Sequence, residues 1–460
     1  YNINKNRISL MVLKGKLLAV AISAILLSAC GGTEHTIVKV DPPAQDNGND
    51  DDGHDDHDHG DTIADANGRL LVTSAESNVV NVYSTADKSL IDSIGVTHYP
   101  KYVYSSENHR FAVLVQRDQG LVEFIDGGLY EEEHGDHHHT HEEAPALASF
   151  HLESVKPTHV TVGESGIAVF SDGDKDSQQN ASAAMFTEAH ISGEQSEVAA
   201  LHYDTYMHGA AQARGEFLIS TIRDPQTETS LPSQIGLYHA HGDHFHQEQV
   251  FNVSCPALHG SAQNEEAVAF GCGDGVALIT QQGESFSAVK LANPDYFADG
   301  QRIGTLKGHH DAEQFIASAG NDVLMVDPEH GHIEKLEWQV SDNYRIASFG
   351  FSFAGEHVVV MDTAGKLSIF AGHDHDGEHH FEAAGEVQVS DADLTTMPEG
   401  HGFQITFSHS EQAVYVSDPI AKQIKKFDLE EAKLVDTFEL DYVPEKLVWL
   451  GIAAEESHDH

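Results

Sequence analysis

From Arg69 onward the chain is a succession of short apolar runs, RLLVTS, FAVLV, GIAVF, EFLIS, VALIT, VLMVD, HVVVMD and AVYVSD, each followed by Gly, Asp or Asn. Runs of that length between turn residues read as β-strands. No stretch between them keeps a helical period long enough for a βαβ crossover, so the strands pair as antiparallel meanders and the fold class is all-β. Strand groups recur every 40 to 55 residues or so, with units opening near His98, Pro157, His208, Pro256, Arg302, Arg345 and His401. That period is the signature of β-propeller blades of four antiparallel strands each. Arg69 to Ile94 holds only three strands, and PEKLVWLGIA (444–453) is a lone strand at the far end of the chain. Pairing the two completes one blade and protects its edges, which predicts eight blades. Insertions blur the unit boundaries, and seven is the competing count.

The pattern before residue 65 is different. Lys14 and Lys16 precede an apolar run from Leu17 to Leu27, in the order of an export signal and too short to span a bilayer; residues 1–29 form the signal region, with Met11 its expected start. The run ends in Leu27, Ser28, Ala29 and Cys30, which resembles a bacterial lipobox and makes Cys30 the lipidation candidate. Acyl chains there would hold the protein at a membrane surface, at ~0.8 kcal/mol per buried CH₂. Residues 30–64 contain DPPAQDNGNDDDGHDDHDHGD, whose dense like charge cannot repay the entropy of ordering; they read as a flexible tether. The propeller is assigned to 65–453, and 454–460 is a short tail carrying His458 and His460.

Charge narrows the chemistry. Seventy-four Asp+Glu oppose 25 Lys+Arg, a formal net charge of -49, which repels phosphate backbones and excludes nucleic acid as a partner while drawing cations. The chain has 3 Cys and 34 His. With so few thiols, metal chemistry must use imidazole and carboxylate; in an exported protein Cys255 and Cys272 are expected to form a disulfide between neighbouring strands.

The histidines separate into two kinds. One kind lies in acidic inserts: His54, His57 and His59 in the tether; His134, His137, His138, His139 and His141; His239, His241, His244 and His246; His373, His375, His379 and His380. In an extended HxH segment alternate side chains share a face, so two imidazoles can share one cation. The other kind stands at or just before the opening strand of successive units: His98, His159, His208, His259, His309 with His310, and His401. In a propeller that strand lines the central channel, so these imidazoles are expected around one mouth. The 134–141 insert precedes His159 and is expected to fold over the same mouth.

These features together resemble the AztD-type periplasmic zinc metallochaperones: an exported all-β propeller, acidic His-rich segments, the Cys pair of CPALHG and GCGDG, and unit-opening histidines such as His159 and His401. The resemblance covers roughly 65–453. It implies a Zn²⁺ site where a His-rich loop meets channel histidines, with His159 and His401 from the channel and His137, His139 and His141 from the loop, His134 and His138 being adjacent candidates. It also implies transfer of Zn²⁺ to the solute-binding protein of a zinc ABC importer, and no enzymatic turnover. A lipobox departs from the freely diffusing family pattern. Two other readings stay open. One is a copper or zinc propeller enzyme, for which Asp311 and Glu399 are available as bases; the other is a non-catalytic interaction propeller whose histidines respond to pH.

Overall fold

A computed structural model describes residues 68–75, 77–134, 137–375 and 378–454, without the side chains of Glu133, His134, His137, His138 and Glu378. The chain divides into two compact units, Tyr1–Asp61 and Thr62–His460, and the described residues all belong to the second. Cys30, the tether histidines His54, His57 and His59, and the tail histidines His458 and His460 lie outside the described residues. Among the described residues no helix is long and apolar enough to cross a membrane.

Among the described residues the strands form six separate four-stranded sheets, one eight-stranded sheet made of two four-stranded halves and one two-stranded hairpin, so eight blades stand around the ring. Blade 1 is built from both ends of the chain: Gly68–Ser74, Val79–Ser84 and Leu90–Gly95 are joined by Pro444–Gly451, which takes the innermost place. Its register, Arg69 opposite Leu450 and Leu71 opposite Val448, is the predicted closure. Blades 2 to 8 follow in chain order, and their innermost strands are Tyr102–Ser105, Pro157–Gly163, Ala211–Arg214, Ser261–Gln263, Thr305–Lys307, Ile346–Phe351 and Gln404–Phe407.

Position in the blade explains the sequence pattern. Second strands such as Phe111–Gln116, Gly166–Ser171 and His357–Asp362 are buried along their whole length, because both faces of each are covered by neighbouring blades. Outer strands such as Ser285–Ala292 alternate exposed and half-buried positions. Eight apolar clusters fill the eight interfaces between consecutive blades. Alternate residues of one strand serve two of them: Leu70 and Val72 pack with Tyr415 and Phe438 of blade 8, and Leu71 packs with Ala112 and Leu114 of blade 2. Cys255 and Cys272 form a disulfide at the interface of blades 4 and 5. Cys255 lies in the segment before blade 5's first strand, and Cys272 ends its second, so the bridge runs from loop to strand.

Strand direction fixes two faces of the ring. Inner strands all begin on one face, called here the start face, and finish on the other, the end face. In every blade the turn between third and fourth strands therefore also falls on the end face. All three His-rich inserts are such turns: Leu129–His134 with His137–Glu142 between the third and fourth strands of blade 2, and the tips of Gln234–His241 with His244–Val250 and of Lys366–His375 with Glu378–Gln388 in blades 4 and 7. Gly451 N–H donating to the His109 carbonyl, and Ala454 N–H to that of His409, confirm that the closing strand also ends there.

Candidate metal centre

Three unit-opening histidines converge on the start face: ligand atoms of His159, His208 and His259 all lie within 4.8 Å of one another. They come from consecutive blades. His159 is on blade 3's inner strand, and His208 and His259 immediately precede those of blades 4 and 5. A glycine follows each of the last two, for steric reasons. A Cβ at Gly209 would stand 2.3 Å from Thr221 Oγ1, and Gly260 has φ +80° with its would-be Cβ 2.7 Å from the Gly304 carbonyl oxygen. Close packing of the backbone there aims both imidazoles into the channel.

Their hydrogen bonds fix the tautomers. His259 Nδ1 lies 2.6 Å from the Gly304 carbonyl oxygen, and His208 Nδ1 lies 3.0 Å from the Asp172 carboxylate. Both acceptors lack a proton, so each Nδ1 carries one and each neutral ring turns its Nε2 lone pair inward. The two Nε2 atoms are 3.2 Å apart, and His159 Nε2 is 3.3 Å from that of His208. Two facing lone pairs at that separation call for a cation or a proton between them. Protonation is disfavoured, since burial, then the neighbouring His208, pushes His159 down to about 4, and burial also lowers His259. A Zn²⁺ ion bound by nitrogen at ~2.0–2.1 Å in tetrahedral geometry places its ligands roughly 3.3 Å apart, so the spacing fits such an ion with little rearrangement. Asp172 also accepts from Arg117 Nη2 at 3.1 Å. Burial works against its charge, but the hydrogen bonds from His208, Thr158 and Arg117 hold the carboxyl below its usual value.

The other expected ligands lie elsewhere. His401 also precedes an inner strand, but blade 8 stands across the ring from blade 4; its Nδ1 is 3.6 Å from Glu445 Oε2, beyond hydrogen-bond distance, and that oxygen accepts from the Tyr99 hydroxyl. His98 is exposed before blade 2's inner strand. His309 and His310 follow the inner strand of blade 6, on the opposite face. His309 Nδ1 is 3.2 Å from Asp311 and His310 Nε2 is 3.1 Å from Glu164. The expectation that the blade 2 insert folds over His159 is corrected by strand direction: that hairpin grows from the end face. Gly128, at φ +70° with the Glu143 carbonyl only 2.5 Å from where a Cβ would be, turns the chain into it, and Arg69 clamps its base to the Gly127 and Glu143 carbonyls. His141 stacks on Tyr130 with 4.9 Å between centroids, and its Nε2 is 3.2 Å from Glu132. His139 is exposed, and His134, His137 and His138 have no described side chains. In blade 7, His373 and His380 face each other across the hairpin, whereas His379 turns to Asp374 at 2.8 Å; His375 stands opposite Glu378.

A second imidazole group, not anticipated from the sequence, lies at the end-face mouth. His109 and His409, at equivalent turns of blades 2 and 8, stack 3.6 Å apart against Trp449. With His309, His310 and Asp311 they border a cavity of about 750 Å³. Burial, then the charge of His309, pushes His109 down to about 4. The clue was the shared place of Ser106 and Ser408, three and one residues before them, at the close of an inner strand.

Fold and seat define an eight-bladed propeller with a three-imidazole cluster in one channel mouth. No family model matches the chain. It is similar to the zinc chaperone AztD of Citrobacter koseri, 24% identical over 402 residues that cover 85% of this chain and 89% of that protein. The solved structure of apo AztD from Citrobacter koseri superposes with a TM-score of 0.70 at 22% identity, over 85% of this chain and 99% of that one. The dihydro-heme d1 dehydrogenase NirN, in complex with DHE, shares the fold at a TM-score of 0.50 and 11% identity, over 84% of this chain and 76% of that one. The resemblance to AztD-type proteins therefore extends through both sequence and three-dimensional structure.

Proposed function

We propose that the chain is a zinc metallochaperone, an exported carrier that holds Zn²⁺ between His159, His208 and His259 and passes it to the solute-binding protein of a zinc ABC importer. The pair of inward lone pairs on His208 and His259, 3.2 Å apart and fixed by Asp172 and Gly304, is the observation that carries the reading. Similarity to a zinc chaperone supports the same cargo. Three protein nitrogens leave one tetrahedral position open, so an incoming ligand can bind before any of the three lets go, and the ion passes without release to water. Carriage breaks no bond in a substrate, and no enzymatic step is assigned.

The export signal, the lipid anchor on Cys30 and the acidic tether at 30–64 belong to the same proposal: the anchor keeps the carrier at the membrane that houses the importer, and the tether concentrates cations near it. The test is calorimetric titration of the metal-free chain with Zn²⁺. His208→Ala should abolish the tightest binding event, and Asp172→Asn should weaken it about 10- to 100-fold, as expected when the group orienting a metal-bound imidazole is lost. Undiminished tight binding in His208→Ala would rule the assignment out.

A further inference from the structure

The hairpin at the outer edge of blade 4 gathers more imidazoles than its HxH pattern alone implies. Gln234–His241 and His244–Val250 pair with His239 opposite His246 and His241 opposite His244. Opposed residues share a sheet face, and so do alternate residues along a strand, so all four rings project from one side. Ring centroids of His239 and His241, and of His241 and His246, are each 4.7 Å apart, and His244 Nε2 is 3.1 Å from His246 Nε2. His244 Nδ1 lies 3.0 Å from Asp243, which fixes its proton there and leaves Nε2 as an acceptor. Glu248 continues the same face; its ligand atom and those of His239 and His241 lie within 4.8 Å of one another.

The tip is held in place. Gly242 turns it at φ +63°, Ala200 of blade 3 pairs with His244, and the Ala200 N–H donates to the Asp243 carbonyl at 3.0 Å. This link is what merges blades 3 and 4 into one sheet. His239 lies flat on Phe217 with 4.8 Å between centroids. The blade 7 hairpin lacks this arrangement, because its register sends His379 to the opposite side.

We infer that the blade 4 hairpin is a second, solvent-exposed metal site, taking one divalent cation of the zinc or copper type on His239, His241 and Glu248, with His244 and His246 on the same face beside it. Nitrogen donors with a single carboxylate select borderline cations over Mg²⁺ and Ca²⁺, which prefer all-oxygen sets. The site stands on the outer edge and end face, whereas the channel cluster opens on the start face, so the inference does not depend on the carrier function.

The test uses the full chain freed of metal, titrated with Zn²⁺ and probed by histidine carbethoxylation read by peptide mass spectrometry. Two equivalents of Zn²⁺ should protect His239 and His241 together, and His241→Ala/His246→Ala should bind one equivalent fewer while the channel event is unchanged. His208→Ala should lose the channel event and keep the hairpin protection, which separates failure of this site from failure of the carrier reading. Continued labelling of these two histidines at two equivalents, or an unchanged stoichiometry in the double variant, would overturn the inference. Protection by Mg²⁺ at the same concentration would overturn the cation class.

Discussion

His159 shows what a single residue contributes beyond a donor atom. Its ring is pushed down to about 4 by burial and by His208, whereas in the unfolded chain it titrates near 6.5. Above 6.5 neither state takes the proton; between 6.5 and 4 only the unfolded chain does, so stability is lost as pH falls through that window. For one such group the slope approaches about 1.4 kcal/mol per pH unit. The urea midpoint of the metal-free chain should drop from pH 7 to pH 5, and His159→Gln should flatten the decline. Zinc affinity should fall in the same direction, because protons compete for the same lone pairs. At this scale the sequence named the three residues that converge, as His159, His208 and His259, because a repeat unit places equivalent positions around an axis. It also named His401, which the ring sets across the channel, and it passed over Asp172, since one aspartate among 74 acids carries no signal until His208 is seen to donate to it.

At the scale of the element, sequence pattern identified strand types more securely than their direction of travel. Six of the eight continuous apolar runs became the doubly covered second strands, VALIT and VLMVD became the third strands of blades 5 and 6, and the closing strand was legible because three strands in residues 69–94 lacked a fourth. Which face an insert occupies was not legible: that depends on counting strands from the channel outward, and His309 and His310, expected at or just before an inner strand, follow it. The closing strand is itself testable. Trp449 is 1% exposed, packs on Leu70 and Tyr415, and fills the space above Gly68. Trp449→Ala should cost about 3–5 kcal/mol. Because the cluster belongs to the velcro blade, hydrogen exchange should rise first in Pro444–Gly451 and Gly68–Ser74. Uniform acceleration across all eight blades would instead mean that the ring opens as one unit.

For the molecule as a whole, the ring brings residues a hundred positions apart in sequence close together, and it sets the channel triad and the His-rich hairpins on opposite faces. The fixed, oriented imidazoles of blades 3 to 5 open on the start face; the acidic His-rich hairpins of blades 2, 4 and 7 crown the end face. With a formal net charge of -49, the surface raises the local concentration of any divalent cation, and its capture rate should fall steeply with added salt. The most direct test of the carrier reading is anomalous diffraction at the zinc edge from crystals of the chain loaded with one equivalent of Zn²⁺. The account predicts one dominant peak about 2.0–2.1 Å from the Nε2 atoms of His159, His208 and His259. A fully occupied peak elsewhere, with none between those three rings, would contradict it.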